Sequence, residues 1–170
     1  MTINKYIITI DGPSYVGKST IAEELAKLLD YIYVNTGHIY RAVSKISIDN
    51  GISDDEHDSI VSIAKKINIE FKYFNNSTRT IVNNIDLTES LHSQIIDSYT
   101  SKIATLNKLR EIINEKIRSY AKRGDVIFEG RDLGTVIFPN AEWKFFITAS
   151  LNIRARRMKK KLIEIDPNQD

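Results

Sequence analysis

Apolar positions along this chain switch between two rhythms. Lys5–Ile10 is a short, β-branched apolar run that predicts a buried strand. After a glycine-containing turn, Ile21, Leu25, Leu28 and Leu29 recur at helical spacing within Ser19–Leu29, which predicts an amphipathic helix buried on that face. Tyr31–Val34 reads as a second strand, and Thr36-Gly37 caps or precedes a helix over about His38–Ile48. Asp54–Ile67 predicts another helix, with Ser53 as its N-cap. Ile69–Asp86 then alternates at period two around a turn at Asn75-Asn76-Ser77, the pattern of a small antiparallel insert. Ser101–Lys122 predicts one long helix carrying Ile103, Leu106, Leu109, Ile113 and Ile117 on one face. Asp125–Phe128 and Trp143–Thr148 read as two more buried strands, and Ser150–Ile165 as a strongly basic helix. Strands alternating with helices imply an α/β three-layer fold with a mostly parallel sheet, interrupted by the β insert.

Composition narrows the function classes. The 170 residues carry 24 basic and 22 acidic side chains, a formal charge of +2. That balance argues against a wholesale nucleic-acid or membrane-surface binder. The chain has no cysteine, which excludes disulfides, thiolate metal sites and cysteine nucleophiles. Its longest apolar runs, in Tyr6–Ile10 and Trp143–Ala149, fall far short of the ~20 residues needed to span a bilayer. Met1–Lys5 leads into a strand-like run without the pattern of a signal peptide, so a cytoplasmic protein is expected.

The sharpest local signal is Gly12-Pro13-Ser14-Tyr15-Val16-Gly17-Lys18-Ser19, a full match to the phosphate-loop pattern, with Thr20 continuing into the helix. Glycines let successive backbone N–H groups turn toward one anion, and the following helix adds its N-terminal dipole. Lys18 is placed to meet the β- and γ-phosphates of ATP, and the Ser19 hydroxyl to ligate Mg²⁺. Val126-Ile-Phe-Glu129-Gly130-Arg131-Asp132 is an apolar strand ending in charged residues, where open α/β sheets bind ligands. Glu129 is positioned to hold a water of the Mg²⁺ shell, and Arg131 to fork onto a phosphate. The chain lacks the Asn-Lys-x-Asp tetrapeptide of guanine-specific GTPases.

Asp11-Gly-Pro-Ser, Thr36-Gly37-His-Ile-Tyr40-Arg41, Glu129-Gly-Arg-Asp-Leu-Gly-Thr-Val-Ile-Phe-Pro139 and Thr148-Ala-Ser150 with Arg154-Ala together resemble the bacterial cytidylate kinases, from Lys5 to about Lys160. The resemblance implies ATP-dependent phosphorylation of CMP, and of dCMP, with Mg²⁺. It implies a core formed by 1–35 and 101–170, the latter including the start of a lid helix, and an acceptor-binding region over 36–100. Arg41 and Arg131 would hold the CMP phosphate, with Thr36 adding a hydroxyl, while Ser101, Arg110 and Asp132 would meet the base. A carboxylate at 132 suits the cytosine amino group and an arginine at 110 its O2/N3 edge; uracil reverses those roles. Ser101 can equally be the N-cap of the long helix, and Arg110 a solvated helix residue. On the basic helix, Arg154 and Arg157 are the residues favoured for the donor nucleotide, against a purely solvated cationic face. Lys18, Arg41 and Arg131 form the expected catalytic set. His38, His57 and His92 read as structural or exposed, since phosphoryl transfer here needs no imidazole base.

Three positions depart from the family pattern. Glu129 stands where the family usually has aspartate, Asn35 replaces an acid, and His92 stands where an arginine is common. The extra methylene of Glu129 is expected to weaken metal positioning, because Mg²⁺ demands near-octahedral geometry. Family members also continue past the position of Asp170 into a lid, a fifth strand and a final helix. The edge of Trp143–Thr148 is therefore expected to lie open, and CMP binding to exceed turnover in these 170 residues. A monomer is expected unless a partner covers that edge. Two other readings stay open at this point: a nucleotide-binding module without catalysis, and a kinase for another small acceptor such as UMP.

Overall fold

The computed structural model describes residues 6–75 and 77–165. Lys5, Asn76 and Asp166–Asp170, which fall in the predicted first strand, the predicted turn and the tail, lie outside the described residues. Strands β1 (Ile7–Asp11), β2 (Ile32–Asn35), β6 (Val126–Gly130) and β7 (Trp143–Phe146) form a parallel sheet in the order β2-β6-β1-β7. β3 (Ile69–Phe74), β4 (Ser77–Val82) and β5 (Ile85–Asp86) form a separate antiparallel sheet. The helices are α1 (Lys18–Leu29), α2 (Thr36–Asp49), α3 (His57–Lys66), α4 (Gln94–Ile103), α5 (Asn107–Ala121) and α6 (Leu151–Ile165). A π-helical turn occupies Leu133–Ile137.

Strand alternation divides the core into two layers around the parallel sheet. Ile8, Ile10, Tyr33 and Ile127 face α1, packing on Ala22 and Ala26. Val34, Val126 and Phe128 belong to the larger cluster with α2, α3 and α5, which holds the fully buried Ile60, Leu109 and Ile113. Burial of a large aliphatic side chain contributes roughly 1.5–3 kcal/mol each, so this second layer dominates the stability. The fold is the expected three-layer α/β arrangement with an antiparallel insert.

Several local expectations are corrected. On α1 the buried residues are Lys18, Ala22 and Ala26, while Ile21, Leu28 and Leu29 are exposed. Small side chains let this helix lie close on the sheet, so alanines rather than the larger aliphatics mark the inner face. The long helix predicted over Ser101–Lys122 is two helices, broken at Ala104–Leu106. Ser101 therefore lies in the last turn of α4, whose cap is Ser93, accepting from Ile96 N at 3.2 Å. The helix predicted from Asp54 begins at His57, and Ser53 does not cap it; the Ser53 N–H instead donates to the Glu56 carboxylate at 2.8 Å. α2 begins at Thr36 itself, capped by Asn35, whose side chain accepts from His38 N. β7 was expected to be buried, yet all four of its residues are exposed; it pairs with β1 along one edge.

Candidate active site

The site is built at the carboxyl ends of β1 and β6, adjacent strands at the point where the sheet order reverses. After β1 the chain turns sharply through Gly12 at φ +146, where an added Cβ would collide with the Ile147 carbonyl oxygen. Gly17, at φ +101, caps α1 in the left-handed region. Both glycines of the loop are thus fixed by backbone geometry, and the loop ends on the α1 N-terminus, a ready anion site.

Asp11 locks the two strand ends together. Its carboxylate accepts from Leu133 N at 3.0 Å and Gly134 N at 2.8 Å. The turn after β6 is thereby held against the phosphate loop, and it carries Arg131 and Asp132 with it. Arg131 donates to Ser14 Oγ at 2.6 Å. From α6, Arg154 Nε donates to the Ser14 carbonyl at 3.0 Å and Arg157 Nη1 to the Tyr15 carbonyl at 3.2 Å. Three guanidinium groups therefore converge on one loop, a cationic lining suited to polyphosphate.

Lys18 turns inward beneath the loop. It is buried, and its ammonium donates to the Pro13 carbonyl at 2.8 Å. Burial pushes its pKa below the usual lysine value; Glu129 opposes that shift, Arg131 adds to it, Asp11 opposes it and Arg154 adds to it. Glu129 is itself 6% exposed with both carboxylate oxygens engaged. Oε1 accepts from the Ser19 hydroxyl at 2.9 Å, and Oε2 from the phenol of Tyr33. The Tyr33 pKa lies far above its ordinary value, through burial first and the adjacent Glu129 charge second.

The acceptor-side residues fall into separate contacts. Arg110 of α5 and Asp132 form an ion pair, which brings together two residues expected at the base. Arg41 of α2 pairs through Nη1 with Asp97 of α4 and donates from the same nitrogen to the Leu91 carbonyl at 3.2 Å. Thr36 is buried, and its hydroxyl donates to the Glu129 carbonyl at 2.7 Å, tying α2 to β6. Ser101 is exposed, and its hydroxyl donates to Asp97 O within α4. Thr20 is also exposed, on α1. Sequence reasoning missed Tyr33, Asp97 and the locking role of Asp11. Asp11 was legible as the acid closing the first strand, whereas Tyr33 and Asp97 carry no motif.

His38 and His92 stack edge to face at 5.2 Å beside this region, with His38 Nδ1 on Thr80 Oγ1 at 2.8 Å. Burial, then His92, Arg41 and Lys161, lower the His38 pKa from 6.5 to about 3. The unfolded chain therefore takes up the proton first. Stability is unaffected above pH 7 and falls below about 6.5, by roughly 1.4 kcal/mol per unit from this group, until about pH 3. Urea midpoints at pH 7, 6 and 5 should fall more steeply for the native chain than for His38→Gln; parallel slopes would assign the acid sensitivity elsewhere.

A strand–glycine loop–helix bearing Lys18 and Ser19, faced by converging arginines on a parallel sheet, defines a phosphate-loop protein of the nucleoside monophosphate kinase type. Within that class the chain belongs to the cytidylate kinase family, whose model matches residues 8–168. A cytidylate kinase from Clostridium botulinum is 40% identical over 157 residues, covering 92% of this chain and 70% of that relative. Two bifunctional pantoate ligase/cytidylate kinases from Prochlorococcus marinus strains are 43% and 42% identical over 154 residues each. The chain spans 30% of the length of those bifunctional proteins. Among the described residues no helix is long and apolar enough to cross a membrane.

Proposed function

We propose that the chain carries the catalytic site for transfer of the γ-phosphoryl group of ATP to CMP and dCMP. The observation that carries this reading is the turn after β6. It sets Arg131 on the phosphate loop and the next residue, Asp132, on Arg110. One short segment thereby joins a phosphate cradle to a donor–acceptor pair of the kind that reads a pyrimidine edge. In the reaction a phosphate oxygen of CMP attacks the γ-phosphorus, the bond to the β-bridging oxygen breaks, and ADP leaves with that oxygen's electron pair. Catalysis is positioning and charge neutralisation. Lys18 and the loop amides hold the donor phosphates. Arg131 lies between donor and acceptor phosphates, and Arg154 and Arg157 flank the donor. Arg41 holds the acceptor phosphate through its Nε–Nη2 edge, since Nη1 is committed to Asp97 and Leu91.

The oxygen donors around Ser19 and Glu129 fit a hard cation such as Mg²⁺. Among the described residues no group of three or more His, Cys, Asp or Glu side chains could form an all-protein cage. The Ser19 hydroxyl, with Glu129 acting through water, would hold the ion against the nucleotide phosphates. When bound, Mg²⁺ supplies neutralisation of the β- and γ-phosphate charge. The same reading assigns 36–100 to acceptor binding and 1–35 with 101–170 to the core, and places the protein in the cytoplasm as a monomer.

ADP release is the test. ATP with CMP should give ADP at well over ten times the rate with UMP or with no acceptor. Equal rates with and without CMP would overturn the assignment.

A further inference from the structure

The Glu129 carboxylate is buried at the end of β6 and fixed at both oxygens. β2 supplies the restraint. In the parallel register Asn35 lies beside Glu129 and Tyr33 beside Ile127, so Tyr33 and Glu129 share the α1-facing side of the sheet. The ring of Tyr33 is packed in the core layer under α1, and its hydroxyl donates to Oε2. Asn35 Nδ2 donates in turn to the Tyr33 oxygen at 3.4 Å, while Asn35 Oδ1 caps α2. Oε1 is thereby turned toward the Ser19 hydroxyl on the first turn of α1. An acid at position 35 would set a second negative charge next to Glu129; the amide removes it and contributes a donor.

We propose that Tyr33 is a positioning residue for the metal-bearing site. Tyr33 and Asn35 form a clamp that holds the Glu129 carboxylate where it serves the Ser19-bound cation. A flexible glutamate would spread its charge over several rotamers, and the clamp leaves one. Orienting partners of this kind typically change metal affinity 10–100-fold when removed. The inference rests on the nucleotide reading of the loop.

The test is a double-substitution cycle read by Mn²⁺ affinity, using electron paramagnetic resonance in the presence of adenylyl imidodiphosphate. Tyr33→Phe removes only the hydroxyl and should weaken Mn²⁺ binding about 10-fold. Glu129→Asp withdraws the carboxylate from the phenol and should cost a similar factor. The double variant should be no worse than about either alone, because both break one contact. Binding of the nucleotide in EDTA should stay within twofold in all variants, which a general structural defect would not allow. Tyr33→Phe with native Mn²⁺ affinity, or losses that multiply to about 100-fold in the double variant, would overturn the clamp. If Tyr33→Phe does not fold, Glu129→Asp alone decides: unchanged affinity sinks the proposal and a loss of about 10-fold upholds it. A native chain that binds no Mn²⁺ with the nucleotide overturns the loop reading together with the clamp. A native chain that binds it, with Tyr33→Phe indistinguishable, overturns the clamp alone.

Discussion

Replacing Lys18 with methionine is expected to lower ATP-dependent turnover about 10³-fold, the scale of losing one preorganised charge aimed at the transferring group. The Lys18 ammonium is held inside the loop, where the charges of Glu129 and Asp11 favour it and those of Arg131 and Arg154 oppose it. Arg131 and Arg154 are each already bonded to Ser14, so neither is free to take its place. Methionine keeps the apolar stem that fills the buried position. The fold should survive, since the anions left behind are otherwise satisfied. Glu129 keeps Ser19 and Tyr33, and Asp11 keeps the Leu133 and Gly134 amides. The melting temperature should move by only a few degrees while ADP release collapses. Turnover within tenfold of the native chain would remove the phosphate loop from the mechanism.

The features legible in the sequence are those fixed by local rules. The phosphate loop is a backbone shape, and Gly12 and Gly17 are required by φ values that other residues resist. The β insert followed from period-two alternation and a turn. The inner face of α1 did not follow from hydrophobicity, because close helix–sheet approach selected Ala22 and Ala26 over Ile21 and Leu28. The break between α4 and α5 was hidden for a related reason. Ile103 and Leu109 are both buried in the same layer, so the apolar rhythm runs on through a kink that the backbone does not share. In the site, Lys18 and Ser19 share the loop with Arg131, Arg154 and Arg157, whereas Arg41, expected beside Arg131, pairs with Asp97 instead. Asp97 and Tyr33 were invisible because their roles depend on partners 56 and 96 residues away. Neither residue type announces chemistry by itself: an aspartate on an amphipathic helix reads as solvated, and a tyrosine in a strand reads as core. Long-range pairing, of β2 with β6 for Tyr33 and of α2 with α4 for Asp97, is what turns them into parts of a site.

Asp132→Asn should weaken CMP and narrow the preference for CMP over UMP by roughly 1–3 kcal/mol, the worth of one well-placed base contact. Asp132 pairs with Arg110 through Oδ2, so Oδ1 remains to accept from an exocyclic amino group. Both side chains are about one-third exposed, at 36% and 35%, which leaves the pair accessible from the site. Asparagine keeps the size and one acceptor but adds a donor, and its amide can turn to donate to the O4 carbonyl of uracil. It also removes the charge that holds Arg110, so the second base contact loosens with the first. CMP therefore loses twice, while UMP loses one contact and gains another. Arg131→Lys is the comparison: Arg131 bonds the phosphate loop at Ser14, so losing its fork should weaken both nucleotides about equally. Calorimetric affinities for CMP and UMP with each variant separate the cases. A parallel loss of CMP and UMP on Asp132→Asn would mean that Asp132 only organises Arg110, and base selection would then rest on Arg110 and the surrounding shape.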